Sequence, residues 1–216
     1  AYTESMVTMV YSLAIGISTA ATAIIARRVG EKDLQGASKS ALQSIIISLV
    51  LSALIGIFGY LYAPQMLRFM GASDDVIMQG VGFTQIMFGF NVVIMLLFLI
   101  NGIFRGAGNA ALAMKILWIP SITNIILVPV LIYGIGPWQG WGLEGAAIAT
   151  CIGRGSGVLY QIYHLFYGKG MIKLTIQNLA PDLQVIESIF NLAWPATFQF
   201  IIASGSWIFL TRIVAE

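Results

Sequence analysis

Charge is what this chain has least of: 9% of its 216 residues are Asp, Glu, Lys or Arg, while 58% are apolar. An average soluble domain carries about 25% charged and about 45 to 50% apolar residues. So few charges cannot cover a compact body in water, and most of the outer surface must face lipid. A soluble globule is thereby excluded. The formal net charge of +2 is too small for a nucleic-acid partner. Cysteine is nearly absent too, and the one thiol, Cys151, rules out an internal disulfide and a multi-cysteine metal site. There is no G-x-x-x-x-G-K-[ST] loop, no H-E-x-x-H helix and no G-x-S-x-G elbow. ATP-driven transport and intramembrane hydrolysis therefore have no support in these residues. No catalytic residue, metal ligand or cofactor is expected, and the chain reads as something other than an enzyme. Gly140-Trp-Gly142-Leu-Glu-Gly145 matches a dinucleotide fingerprint in letters, but an apolar helix precedes it where that motif needs a strand in a βαβ unit.

What is present is a series of long uncharged windows. A helix needs about 20 apolar residues to cross a hydrocarbon core of about 30 Å. Uncharged stretches run from Ser5 to Ala26, Ser40 to Leu67, Val76 to Phe104, Ile116 to Leu143 and Ser188 to Thr211, and Gly145 to Gly168 is interrupted only by Arg154. They are too long for barrel strands, and lipid leaves no water for unpaired backbone groups. The expected fold class is an all-α transmembrane bundle of six membrane helices. The loops between windows one and two, three and four, and five and six carry Arg27, Arg28, Lys32, Lys39, Arg105, Lys115, Lys169 and Lys173. The other two loops hold only Arg68. The positive-inside rule then places the basic loops in the cytoplasm and the N-terminus outside. Residue 1 is Ala rather than Met, and an apolar run ends at Glu216, so the chain is expected to be an internal piece of a longer polytopic protein. Lys169 to Glu187 is the most polar connection. It is the expected boundary between two lobes, with Pro181-Asp182 opening a short interfacial helix.

Polar side chains at membrane depth must find a partner or water inside a bundle. Gln85, Asn91, Asn101, Asn124, Thr150, Arg154 and Gln199 fall there, and for the amides a helix-to-helix hydrogen bond and a cavity wall are both open. Arg154 stands apart. It lies ten residues after Glu144 and fifteen before Lys169, near the midplane, and no acid of this chain falls at its depth. Its partner is then another helix, a substrate or water. Gly102/Gly106 and Gly153/Gly157 have the i, i+4 spacing that lets helices approach closely. Pro120 and Pro129 fall inside the fourth helix and Pro195 inside the sixth, where they bend the helix or shape a cavity. Met6, Met9, Met87 and Met95 suit ordinary packing, and Tyr133, Trp138 and Trp141 read as interface anchors.

Four stretches carry a family resemblance: GISTAATAIIARRVGEKD from Gly16 to Asp33, INGIFRGAGN from Ile100 to Asn109, GLEGAAIAT from Gly142 to Thr150, and LAWPATFQ from Leu192 to Gln199. In this order the chain resembles the multidrug and toxic compound extrusion (MATE) exporters of the MOP superfamily, particularly the bacterial branch with DinF-like proteins. The resemblance implies two six-helix lobes around a central cleft. Residues 1–168 would be a partial N-lobe of five helices, truncated by its first helix, 169–187 the cytoplasmic inter-lobe linker, and 188–216 the first helix of the C-lobe. Asn101, Asn124 and Thr150 match polar positions of the family. Val128 stands where many relatives place an ion-binding aspartate, and Ala203 near an acid that some carry. The function implied is a secondary-active antiporter of the bacterial inner membrane, a monomer when full length. It would extrude small organic, often cationic, compounds in exchange for a monovalent cation, H+ or Na+, with membrane lipid as its surroundings. A lipid-linked saccharide flippase of the same superfamily is the alternative.

Overall fold

The structure is a computed structural model. It describes the backbone of residues 2–69, 71, 73–135, 138–168, 172 and 182–215, and the side chains of these residues except 2–6, 9, 135, 138 and 204–215. Eight helices run through the described residues: α1 (Tyr2–Gly30), α2 (Leu34–Leu61), α3 (Ala63–Phe69), α4 (Asp74–Gly89), α5 (Asn91–Gly106), α6 (Ala110–Tyr133), α7 (Gly142–Tyr167) and α8 (Leu183–Ala215). Between α6 and α7 sits a two-residue antiparallel ladder, β1 (Gly134–Ile135) with β2 (Trp138–Gln139). The all-helical membrane architecture expected from the uncharged windows is the one found. By length and apolarity α1, α2, α6 and α8 can each cross a bilayer, and α4 with α5 makes a fifth, bent span. The sixth expected helix is α7, whose 26 residues reach about 39 Å at about 1.5 Å per residue. Its glycines, alanines and Arg154 make it less apolar than the others.

Two differences from the sequence reading have local causes. The third window is not one straight helix: α4 and α5 meet at Phe90 with a bend of 42°. Asn91, fully buried, donates from Nδ2 to the Ser52 carbonyl of α2 at 3.0 Å, tying the bend to its neighbour. The bend has room because a Cβ at Gly56 would lie 3.0 Å from the Phe88 carbonyl oxygen, and the Phe88 ring rests against Gly59. Gly59 therefore serves packing inside α2. The second difference concerns the inter-lobe segment. Residues 169–171 and 173–181, with Pro181, lie outside the described residues, but α8 already begins at Leu183 and continues without a break to Ala215. Asp182 accepts from the Gln184 N–H at 3.0 Å, so the polar start of this segment caps a long helix instead of forming a separate interfacial one.

The ends of the helices sort the charges. The α1–α2 turn is closed by Asp33, which accepts from the Gly36 N–H at 2.8 Å and pairs with Arg28 at 3.0 Å. The Gly36 bond and then Arg28 hold the Asp33 carboxyl below its usual range. Arg27, Arg28, Lys39, Arg105 and Lys115 lie at the same end of the bundle, set by the alternation of helices. At the opposite end the α6–α7 hairpin is tight. Gly134 takes a φ of 80°, and Trp141 donates to the Leu131 carbonyl at 2.8 Å. The glycines that mimic a nucleotide fingerprint serve this turn, since a Cβ at Gly140 or Gly145 would run into the backbone of Ile132 or Leu131. Exposed Tyr133 and Trp141 stand at this end, as interface anchors would.

The core is a helix seam lined with small residues. Gly102 and Gly106 of α5 lie on α1, where Ser18 donates to the Phe98 carbonyl at 2.7 Å and Thr22 to the Gly102 carbonyl at 2.9 Å. Gly153 and Gly157 of α7 receive Asn124 and Pro120 of α6 in the same way. Both pairs thus pack helices. A stripe of buried serines on α2, Ser40, Ser44, Ser48 and Ser52, adds a further small-residue face. The outer face of α6 is the reverse, with Ile125 74% exposed and Trp118 61%, which suits lipid.

Candidate functional site

Arg154 is the thirteenth residue of the 26 in α7, at the middle of that helix. A guanidinium at the centre of a spanning helix costs about 2.5 to 3.5 kcal/mol on insertion scales unless something compensates. The compensation visible here is an aromatic face: the Arg154 guanidinium carbon lies 5.3 Å from the centroid of the Tyr11 ring. Such a cation–π contact supplies about 2 kcal/mol when desolvated. A ring face supplies no acceptor to the N–H groups. Nη1 is buried with no hydrogen-bond partner, and among the described residues no carboxylate pairs with this side chain.

Arg154 opens onto a cavity of about 360 Å³ between α1, α4 and α7, with Val7, Thr8, Tyr11, Phe83, Met87 and Thr150 as its other walls. Thr150 sits one turn before Arg154 on the same face and lines the cavity, its hydroxyl donating to the Ala146 carbonyl at 2.9 Å. Tyr11 is also held from behind by the edge of Phe98, at 5.7 Å between ring centroids. One charge, several hydroxyls and an apolar remainder make an amphiphilic pocket of a size that holds small molecules.

Of the seven polar residues taken from the sequence, the fold brings only Thr150 and Arg154 into this cavity. Asn91 is tied to α2 at the α4–α5 bend, and buried Asn101 donates from Nδ2 to the Ala113 carbonyl at 2.8 Å across the α5–α6 turn. Asn124 turns its Oδ1, buried and unpartnered, toward Gly153. Gln85 is half-exposed and reaches the Tyr60 carbonyl only at 3.4 Å. Gln199 is exposed on α8. Met87 is a pocket wall and Met95 lies in the core, whereas the Met6 and Met9 side chains lie outside those described. Among the described residues no cluster of three metal-ligating side chains occurs.

Sequence reasoning missed three polar residues, two of them walls of this cavity and one a buried amide outside it. Thr8 and Tyr11, at i and i+3, put a hydroxyl and a ring on one face of α1, a signal present in the spacing. The third is Gln161, fully buried, which donates to the Leu97 carbonyl at 3.0 Å while its Oε1 has no partner. Losing the bond and losing the orphaned oxygen offset each other. Gln161→Leu should therefore stay within about 1 kcal/mol of the parent in thermal unfolding, while Gln161→Glu, which buries a charge, should lower the midpoint sharply.

One further arrangement bears on function. α8 packs on α1 from Val185 through Ile189 and Ala193 to Thr197, which rests against Gly16, and Lys39 pairs with Asp182 at 2.8 Å. From Phe198 to Ala203 every residue of α8 is exposed. The two helices are thus joined at the end that carries the basic residues and part at the other.

Known proteins resemble this chain in sequence and in fold. The chain is 24% identical over 209 residues to the probable multidrug resistance protein YoeA of Bacillus subtilis (strain 168), an alignment covering 95% of this chain and 45% of that protein. It superimposes with a TM-score of 0.91 and 27% identity on an outward-facing conformation of a multidrug resistance MATE family transporter of the MOP superfamily, over 98% of this chain and 46% of that one. On an inward-facing conformation of a transporter so described, the TM-score is 0.84 at 28% identity, over 90% of this chain and 44% of the other. The chain thus spans about half the length of the relatives it matches. The family model of MatE matches residues 1–130, the stretch that builds α1 to α5 and most of α6 around the Tyr11 side of the cavity, and the chain belongs to the MatE family.

Proposed function

We propose that this chain forms part of a secondary-active antiporter that exports small organic compounds across the bacterial cytoplasmic membrane in exchange for protons or sodium ions. The observation that carries the reading is an amphiphilic cavity at mid-helix depth whose cation has no carboxylate partner among the described residues, because transporters place their substrate sites near the bilayer midplane. The relatives' description as multidrug resistance proteins agrees with it. On this reading α1 to α7 belong to one lobe and α8 opens the second, the basic end faces the cytoplasm, and the α1–α8 contact closes that side. Val128 and Ala203 supply no carboxylate, so coupling falls to acids elsewhere in the full-length protein.

The full-length protein in proteoliposomes tests this. An imposed proton or sodium gradient should drive uptake of a dye substrate into inside-out vesicles and collapse with an ionophore. Gradient-independent or absent flux across a panel of substrates contradicts antiport. Arg154, with no carboxylate partner among the described residues, favours a second reading, a flippase for lipid-linked pyrophosphoryl saccharides. It predicts transbilayer movement of such a lipid and none of soluble dyes.

A further inference from the structure

The cavity of the proposed transport site carries an electrostatic sign. Its one formal charge among the described side chains is the Arg154 cation, and the Tyr11 ring satisfies that cation only through its face. A guanidinium is planar, and its N–H fork fits carboxylate or phosphate through two parallel hydrogen bonds. Nη1 is buried and has no hydrogen-bond partner among the described residues, so part of the fork is open to an acceptor. The rest of the wall gives the acceptor's carrier a shape. Phe83 and Met87 are apolar and adaptable, which suits an aromatic or aliphatic body.

We propose that the α1–α4–α7 cavity binds the carboxylate or phosphate of an organic anion, with Arg154 as the anion-holding residue, Tyr11 as its positioning partner, and Phe83 and Met87 against the apolar body. This deepens the transport reading by naming the substrate class, and it reverses the sign expected from resemblance to exporters of cations. A competing acceptor exists on the chain. Glu4 stands seven residues before Tyr11 on α1, on the same helix face, with its side chain outside those described.

The test uses the purified full-length protein and a naphthyl series of matched shape: 1-naphthoate, 1-naphthyl phosphate, neutral 1-naphthol and cationic 1-naphthylmethylammonium, with binding read by titration calorimetry in neutral detergent. The two anions should bind about tenfold or more tighter than the cation. Arg154→Met should weaken the anions by about thirtyfold or more and leave 1-naphthol unchanged, and Arg154→Lys, which keeps the charge without the fork, should fall between. Glu4→Gln should leave anion binding unchanged. Equal affinity for anion and cation in the parent overturns the proposal. So does an unaltered anion affinity in Arg154→Met, or a tenfold gain in Glu4→Gln, which would show that Glu4 fills the fork. Should Arg154→Met fail to fold, the parent series and Arg154→Lys still decide. Competition by phosphatidylglycerol nanodiscs assigns the anion site to a lipid headgroup, and its absence to a soluble anion. Either result upholds the anion site. Because no flux is measured, a protein that holds the anion but moves nothing refutes antiport alone.

Discussion

Gly102→Leu is expected to abolish the folded protein. A Cβ at this position would lie 2.8 Å from the Ser18 carbonyl oxygen and 2.8 Å from the Thr22 hydroxyl, and at Gly106 it would lie 2.7 Å from the Thr22 carbonyl oxygen. Two of these obstacles are backbone, which cannot swing aside as a flexible side chain would. Separating α1 from α5 to admit a leucine also breaks the Ser18 bond to the Phe98 carbonyl and the Thr22 bond to the Gly102 carbonyl. In lipid no hydrophobic effect draws helices together, so close dispersion contact and these hydrogen bonds are what hold the pair. Overpacking alone costs about 1 to 3 kcal/mol, and the lost seam adds to it. Size-exclusion profiles and thermal melts of full-length protein in detergent should show the loss. A control lies on α7. A Cβ added at Gly155 would meet nothing within 4 Å, so Gly155→Ala should hold or raise the midpoint, by about 0.5 to 1 kcal/mol from helix propensity. A parent-like melt for Gly102→Leu would mean that the seam is not tight.

This contrast between glycines shows where the sequence stops speaking. The i, i+4 spacing announced Gly102/Gly106 and Gly153/Gly157 as close-packing pairs, and both lie in helix contacts. The same spacing cannot say that Asn124 and Pro120 would fill the second notch, because the partner face depends on how α6 and α7 are rotated. Uncharged windows located the spans, since the cost of burying charge in lipid acts on each segment separately. The bend at Phe90 was invisible to that test: it leaves the window uncharged, and it depends on Gly56 and Ser52 of another helix. Arg154 was legible as a buried cation from its distance to charged neighbours along the chain. Its cavity was not, because Tyr11 is more than 140 residues away in sequence and looks like any interior tyrosine. The amides show the limit most clearly. Asn91 and Asn101 are buried as their depth implied, yet each satisfies a backbone carbonyl at a bend or turn, a demand that exists only once the helices have assembled.

Gly16→Leu should separate α8 from α1 and cut transport by the full-length protein by an order of magnitude or more, while Lys39→Ala should change it little. The two substitutions act on one contact by different forces. At Gly16 a Cβ would run into the Thr197 hydroxyl and lie 3.0 Å from the Ala193 carbonyl oxygen, so a leucine wedges the helices apart over their shared apolar face. The Lys39–Asp182 pair is partly exposed, with 36% and 28% of the side chains accessible, and solvent and salt screen such a pair. Its pH dependence is also weak. The hydrogen bond from Lys39, followed by those from the Gln184 and Val185 backbone, holds the Asp182 carboxyl below its ordinary value of 3.8. The folded form thus binds the proton more weakly, the pair's contribution is complete above 3.8, and it is lost only as pH falls through the lowered value. Between about pH 5 and 8 the pair should give no pH response in the contact. Thiol labelling of Ala193→Cys in a Cys151→Ala background reads the contact directly, since buried Ala193 lies in the crevice between α1 and α8, against Gly16. Labelling from the basic end should rise strongly with Gly16→Leu and barely with Lys39→Ala. If Lys39→Ala opened the crevice as far, the ion pair rather than helix packing would hold that end shut, and the closure would then weaken with added salt.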